Sequence, residues 1–258
     1  MYLGLIRYIL FFMTKRIENK FLFILTPPYC GSTLLHELLS TSRNVSVNNS
    51  KGTREGQGLP QVRDIMFNHN RRWDETLDFD WNYIKEVWMS YWDLERAVLL
   101  EKSPPNIIRT QSIVKHFNPS FFIILYRNPY AHCESLMRRE GYSVERAAEF
   151  AIHCLNYQKR NIESLNNALL LSYEELTGRS EQAITRMASL LPELSDIRIK
   201  EEFDSHNFKN QKMGISNLNA EKISLLTYRE LDRINTVFNM NPEILTYFSY
   251  ETIETPKQ

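Results

Sequence analysis

Four short apolar runs limit what this chain can fold into: Phe21–Thr26 (FLFILT), Ala97–Glu101 (AVLLE), Phe121–Arg127 (FFIILYR) and Ala168–Tyr173 (ALLLSY). Each has the length of a strand, and each is continuously apolar where a strand with one wet face would alternate. Such runs are buried on both faces, as in a parallel sheet covered by helices. The stretches between them carry helical spacing. Ser32–Ser40 follows directly on the first run. Within Val144–Leu165, residues Val144, Ala147, Ala148, Ala151, Leu155 and Ile162 recur at helical intervals, and Ser143 stands where a cap belongs. Further helices are expected at Arg179–Leu190 and Leu226–Phe238. This alternation predicts a three-layer α/β fold with a mostly parallel central sheet and flanking helices. Ligands in such sheets collect beyond the carboxyl ends of the strands.

No internal repeat, low-complexity block or Pro/Gly/Ser linker divides the 258 residues, so a single domain over 1–258 is expected. Formal net charge is zero, which gives no support to a long nucleic-acid-binding face. The pairs Arg71–Arg72 and Arg138–Arg139 read as solvated faces. Cys30, Cys133 and Cys154 show neither C-x-x-C spacing nor a nearby His, so neither a disulfide framework nor a metal site is expected. Reduced thiols fit a cytoplasmic protein. Tyr2–Met13 is apolar, but Arg7 interrupts it and Lys15–Arg16 follow. It falls short of the ~20 residues that cross a bilayer and lacks the layout of a signal peptide. Residues 1–20 read as a segment docking on the domain, with membrane-surface association or a type II anchor as the alternative.

The first informative loop is Leu25-Thr-Pro-Pro-Tyr-Cys-Gly-Ser-Thr-Leu-Leu35, which leads from a buried strand into a helix. Gly31 would let the backbone approach an anion, the amides from Gly31 to Leu34 would face it, and Ser32 and Thr33 add hydroxyls. A plain strand–turn–helix junction capped by Ser32 is the alternative. The second glycine and the lysine of a Walker A motif are missing, which counts against ATP or GTP hydrolysis. In Phe121–Leu136 (FFIILYRNPYAHCESL), Arg127 stands at a strand's carboxyl end, where a guanidinium forks onto phosphate oxygens. Ser135 follows eight residues later, about two helical turns on, where its hydroxyl could face the same pocket.

The strand-R-N-P-x5-S pattern resembles the 3′-phosphate-binding element of sulfotransferases that use 3′-phosphoadenosine 5′-phosphosulfate (PAPS). The P-x-x-G-S-T-L-L loop resembles their 5′-phosphosulfate loop. Leu100-Glu-Lys-Ser-Pro104 is similar to the family's strand-K-[ST]-P segment, and Leu171-Ser-Tyr-Glu-Glu-Leu176 to its Y-E-[DE]-L segment. The likeness covers roughly residues 21–176, is loose beyond, and leans toward the carbohydrate and tyrosylprotein enzymes. It implies that PAPS is the co-substrate and PAP the product, with no metal. It implies a cradle of Gly31, Ser32, Thr33 and Leu34 for the 5′-phosphosulfate, and Arg127 and Ser135 for the 3′-phosphate. Tyr173 would lie against the adenine, and Lys102 would reach the sulfuryl group or bridging oxygen. Lys209 and Lys212, in a stretch (208–218) where relatives close a loop over the nucleotide, are candidate phosphate contacts. One departure stands out. Relatives carry Lys or Arg two residues before the loop glycine; here that residue is Tyr29, followed by Cys30, so Lys102, Lys51 or Arg54 must supply the charge, or activity is reduced or absent.

Sulfuryl transfer needs a base near the acceptor oxygen and fixed cations near the leaving group. Glu55, in the Gly-rich loop Gly52-Thr-Arg-Glu-Gly-Gln-Gly58, is the candidate base; related enzymes place a catalytic Glu in a comparable loop. His36, one turn into the first helix, reads first as a packed or surface residue. Pro104 replaces the histidine of the phenol and steroid enzymes. The four tryptophans fall between Trp73 and Trp92; Trp81, Trp88 and Trp92 share helical spacing and are expected in the core rather than at an acceptor mouth. The acceptor is a small molecule, carbohydrate or peptide that the sequence does not distinguish, and oligomeric state leaves no trace in it. A PAP-binding protein without activity, and a P-loop-like small-molecule kinase, remain the other readings.

Overall fold

The computed structural model describes residues 18–67, 71–199, 203–205 and 211–254. Most of the expected docking segment, residues 1–17, lies outside them. In chain order the elements are β1 (Lys20–Leu25), α1 (Ser32–Leu39), β2 (Val45–Val47), α2 (Pro60–Met66), α3 (Trp81–Tyr91), β3 (Val98–Glu101), α4 (Thr110–His116), β4 (Ser120–Tyr126), α5 (Pro129–Glu140), α6 (Val144–Ser164), β5 (Ala168–Ser172), α7 (Tyr173–Gly178), α8 (Ser180–Leu190), β6 (Phe203–Ser205), β7 (Gln211–Met213), α9 (Asn219–Ser224), α10 (Tyr228–Phe238) and α11 (Pro242–Tyr247). Short 3₁₀ turns stand at Gly56–Gly58, Pro104–Ile108 and Pro192–Leu194.

Five strands form one sheet in the order β2-β3-β1-β4-β5, every pair parallel. The four apolar runs are four of these strands, each within a residue of its expected ends at most. The fifth, β2, has three residues and is too short to leave a run in the sequence. β6 and β7 pair separately and antiparallel.

Continuous apolarity reflects burial on both faces. Along β1, Phe21, Phe23 and Leu25 enter one core while Leu22 and Ile24 enter the other. β4 divides the same way, Phe122 and Ile124 against Ile123 and Leu125. The first core is closed by α2, α3 and α4; the second by α1 and α8. The tryptophans go where helical spacing sends them: Trp81, Trp88 and Trp92 are 3%, 0% and 5% exposed, in the first core. A third apolar cluster joins α5, α6, α10 and α11. Ser143 caps α6 by accepting the Arg146 amide. Among the described residues no helix is long and apolar enough to cross a membrane.

β1 and β4, the central neighbours, are tied by a side chain. Gln158 of α6, fully buried, donates its Nε2 to Leu25 O and Leu125 O at 2.8 and 2.9 Å, the backbone oxygens at the carboxyl ends of both strands. Leaving a buried acceptor unpaired costs about 1–3 kcal/mol. Gln158→Leu is therefore expected to lower unfolding stability by at least that amount in a urea titration; an unchanged midpoint would remove the clamp from this account.

Candidate active site

The four motif segments leave four adjacent strands, β3, β1, β4 and β5, at their carboxyl ends. The β1 loop is central. Gly31 is the N-cap of α1 with φ 93°, a left-handed conformation, and a Cβ there would sit 2.6 Å from Tyr173 Cδ2. Conformation and contact therefore both demand glycine. Ser32 is the first helical residue rather than the cap, and no side chain caps this helix end. The first-turn amides of α1 thus keep their donors for something else.

Two side chains stand against the loop from the protein side. Arg127, just past β4, donates Nη1 to Tyr29 O at 2.8 Å. His132, on α5 and 3% exposed, lies beside the Pro28 backbone. Burial, and secondarily the Arg127 charge, push this imidazole down to about 3, so it is neutral. Cys30, beneath the loop, is 1% exposed, and burial pushes its thiol up to about 12. Cys30 and Cys154 line a small interior space together with His132 and Arg127. All three cysteines are buried free thiols, and among the described residues no cluster of His, Cys, Asp and Glu could hold a metal.

Arg127 has three attachments. Besides Tyr29 O, its Nε donates to Asn219 Oδ1 at 2.7 Å and its guanidinium lies 4.3 Å from the Tyr173 ring centre. Its Nη2 is buried with no hydrogen-bond partner among the described residues. Tyr173, 5% exposed, donates its hydroxyl to Ser216 O at 3.0 Å and accepts the Leu218 amide at 3.3 Å. Residues 216–219 therefore lie against Tyr173 and Arg127, within and next to the stretch expected to cover a nucleotide. Lys209 lies outside the described residues, and of Lys212, on β7, only the backbone is described. Glu174 gathers this side of the site: it accepts from the Asn128 amide (2.9 Å), from Asn219 Nδ2 and from the Tyr250 hydroxyl (3.1 Å). Ser135 on α5 is 2% exposed, its Oγ 3.4 Å from Glu134 Oε2, and that buried carboxylate meets Lys222 at 3.4 Å.

On the other flank, beyond β3, Lys102 is 2% exposed. Its Nζ donates to Thr53 O at 2.6 Å and stands 3.6 Å from Glu55 Oε1. Desolvation lowers the pKa of this ammonium, and the carboxylates of Glu55 and Glu101 oppose the shift. Glu55, 8% exposed, accepts from Gln57 Nε2 at 2.6 Å. His36, 3% exposed on α1, is pushed down to about 3 by burial and then by the charges of Lys102 and Arg54. Arg54 meets Glu37, also on α1, at 2.6 Å. Cations at positions 54 and 102 thus converge on the first helix. Lys51 is exposed. Tyr29 directs its hydroxyl to Glu140 Oε1 at 2.6 Å; burial and this carboxylate raise its pKa above the ordinary phenol range.

Nothing in the sequence marked Asn219 or Gln158, and although Glu174 and His132 lie within the motif segments, nothing there marked the roles they take through contacts with distant segments. Glu101 lay within the strand-K-[ST]-P segment, where nothing marked its carboxylate as a contact for a distant loop.

Buried neutral histidines make stability depend on pH. Unfolding exposes His132, which then binds a proton below about 6.5, whereas the native ring stays neutral to about 3. Its contribution is lost as pH falls through that window, by up to about 1.4 kcal/mol per pH unit. Glu101 acts oppositely: its native pKa, raised to about 7 by burial, favours the native state as pH falls from 7 toward 4.5. Comparing wild type with His132→Gln cancels the Glu101 part. The stability gap between them is expected to shrink as pH is lowered from 6.5 to 4; a constant gap would contradict the neutral buried ring.

A family profile described as "Sulfotransferase family" matches residues 22–192. No curated protein matches the chain. Among solved structures, the sulfotransferase domain from the curacin biosynthetic pathway aligns at a TM-score of 0.54 and 17% identity, covering 93% of this chain and 100% of that one. The sulfotransferase domain from the Synechococcus PCC 7002 olefin synthase aligns at 0.54 and 19% identity, covering 92% and 97%. Sulfotransferase STF9 from Mycobacterium avium aligns at 0.52 and 14% identity, covering 96% and 81%. At these identities the structures speak for the fold, the mostly parallel sheet with flanking helices. The profile spans most of the chain and carries the assignment: this chain belongs to the sulfotransferase family.

Proposed function

We propose that this sulfotransferase takes its sulfuryl group from PAPS and passes it to a hydroxyl, or an amine, of a small-molecule, carbohydrate or peptide acceptor. The observation that carries the donor reading is the 2.8 Å bond from Arg127 Nη1 to Tyr29 O. It joins two elements suited to anions, the uncapped start of α1 and a buried guanidinium with an unpartnered Nη2, and a nucleotide with phosphates at both its 5′ and 3′ positions needs both. ADP needs one.

In this reading Gly31, Ser32, Thr33 and Leu34, with the backbone of Tyr29 and Cys30, receive the 5′-phosphosulfate. Arg127 and Ser135 receive the 3′-phosphate, Tyr173 borders the adenine, and Lys209 and Lys212 add positive charge. When bound, PAPS supplies an activated sulfuryl group whose departure leaves PAP. The protein's own tasks are to hold cations where charge grows and to take a proton from the acceptor. Lys102 serves the first and Glu55 the second, by in-line displacement. With Tyr29 turned to Glu140, the duty of the missing basic loop residue passes to Lys102 and Arg54. That same contact favours a second reading, a PAP- or PAPS-binding protein without transfer activity.

Calorimetry tests the donor site. PAP should bind at least roughly tenfold more tightly than ADP or AMP, the worth of one charge-assisted hydrogen bond. Arg127→Leu should erase that preference, lowering PAP affinity by more than ADP affinity; ADP binding also weakens, because the same guanidinium holds Tyr29 O. Equal affinities in the wild type would contradict the proposal.

A further inference from the structure

The loop that carries Glu55 has no regular secondary structure apart from the Gly56–Gly58 turn, yet it is buried at Glu55, Gly56 and Gln57, where a base would have to stand still. Its anchor is the residue before Lys102. Glu101, 0% exposed, accepts the Gly56 amide on Oε1 at 3.0 Å, the Ser103 hydroxyl on the same oxygen at 2.5 Å, and Asn106 Nδ2 on Oε2. Ser103 Oγ in turn accepts the Gln57 amide at 3.1 Å. Consecutive amides of the loop, at Gly56 and Gln57, are therefore held by one carboxylate and by the hydroxyl bound to it.

The fit leaves no room for adjustment. A Cβ on Gly56 would lie 2.8 Å from Glu101 Oε1, 2.5 Å from Asn48 Nδ2 and 3.0 Å from Trp88 Cε2. Trp88 Nε1 donates to Gly56 O at 3.3 Å, closing the loop from the core side. A carboxylate fully removed from water is costly unless its acceptor sites are filled. Here they are filled by the loop and by the turn after β3, so the carboxylate and the loop order each other.

We infer that Glu101 is the positioning residue of the candidate base: it acts through the Gly56 amide and Ser103 to hold Glu55 beside Lys102. The inference rests on the proposed role of Glu55, and it adds a residue that touches neither donor nor acceptor. Glu101, next to Lys102 in sequence, and Glu55, 3.6 Å from its Nζ, both act to keep its ammonium protonated. Strand β3 thereby delivers the cation and the tether of the base from adjacent positions.

Hydrogen exchange followed by mass spectrometry tests this without an acceptor. In Glu101→Ala, exchange at Gly56 and Gln57 should rise at least roughly tenfold, the equivalent of one charge-assisted hydrogen bond. Exchange in β1 and β4, and PAP affinity, should stay within roughly threefold of wild type, well below that one-bond scale. Glu101→Gln should restore protection, because its amide can face Asn106 Oδ1, which has no partner. If Glu101→Ala does not fold, Ser103→Ala replaces it, with faster exchange expected at Gln57. Wild-type protection of the loop in the folded variant would overturn the proposal. Turnover of labelled PAPS separates this from the base reading. If both hold, Glu101→Ala and Glu55→Gln each lower the rate and the double variant is no slower than Glu55→Gln. A wild-type rate in Glu55→Gln sinks the base while leaving the exchange result to decide the tether; additive losses overturn the tether's action through Glu55.

Discussion

The architecture of the site depends on how the loop after β1 is held. A chain that leaves a buried strand and enters a helix within six residues must place several carbonyls and amides without regular pairing. Here the carbonyl of Tyr29 is taken by Arg127, His132 lies beside the Pro28 backbone, and the strand end behind them is tied by Gln158. With the Tyr29 carbonyl engaged inside, the loop is left with amides and a helix N-terminus, a surface of one polarity. Arg127 links this arrangement to its neighbour, because the guanidinium that holds Tyr29 O also presents a buried Nη2 with no partner among the described residues.

The opposite flank is built on charge rather than backbone. Glu55, Lys102 and Glu101 are each less than a tenth exposed and lie close enough for their charges to act on one another. Buried ions are retained where each meets a partner, since an uncompensated one costs several kcal/mol (about 3–5). The Lys102–Glu55 pair satisfies that condition and sets a cation beside a carboxylate, the two groups that sulfuryl transfer requires. Arg54 and Lys102 bring positive charge to this flank, while Tyr29 turns to Glu140.

The fold was legible because burial on both faces leaves an unmistakable pattern. Phe21–Thr26 and Phe121–Arg127 read as strands since nothing else accounts for five or six apolar residues in a row. β2 and the short helices α2, α4, α7, α9 and α11 were not legible, being too brief for a period to show. The placement of candidate residues was readable where one segment carries both the residue and its setting, as with Gly31 before α1 or Arg127 after β4. They were hidden where the setting arrives from elsewhere. Nothing near Glu101 announces that Gly56, forty-five residues earlier, will rest on its carboxylate. Nothing near Tyr29 announces Glu140. Helical spacing did place the tryptophans in the core, because packing, unlike recognition, follows local period.

The account's central claim is that this pocket does not merely hold a nucleotide with two phosphate sites but moves a sulfuryl group from it. The most direct measurement is incubation with ³⁵S-labelled PAPS and a panel of sugars, phenols and peptides, followed by separation of labelled products. The account predicts labelled acceptor from the wild type and none from Glu55→Gln, with PAP binding intact in both. Label that stays on PAPS across the panel, with PAP bound tightly by the wild type, would contradict it and leave a nucleotide-binding protein.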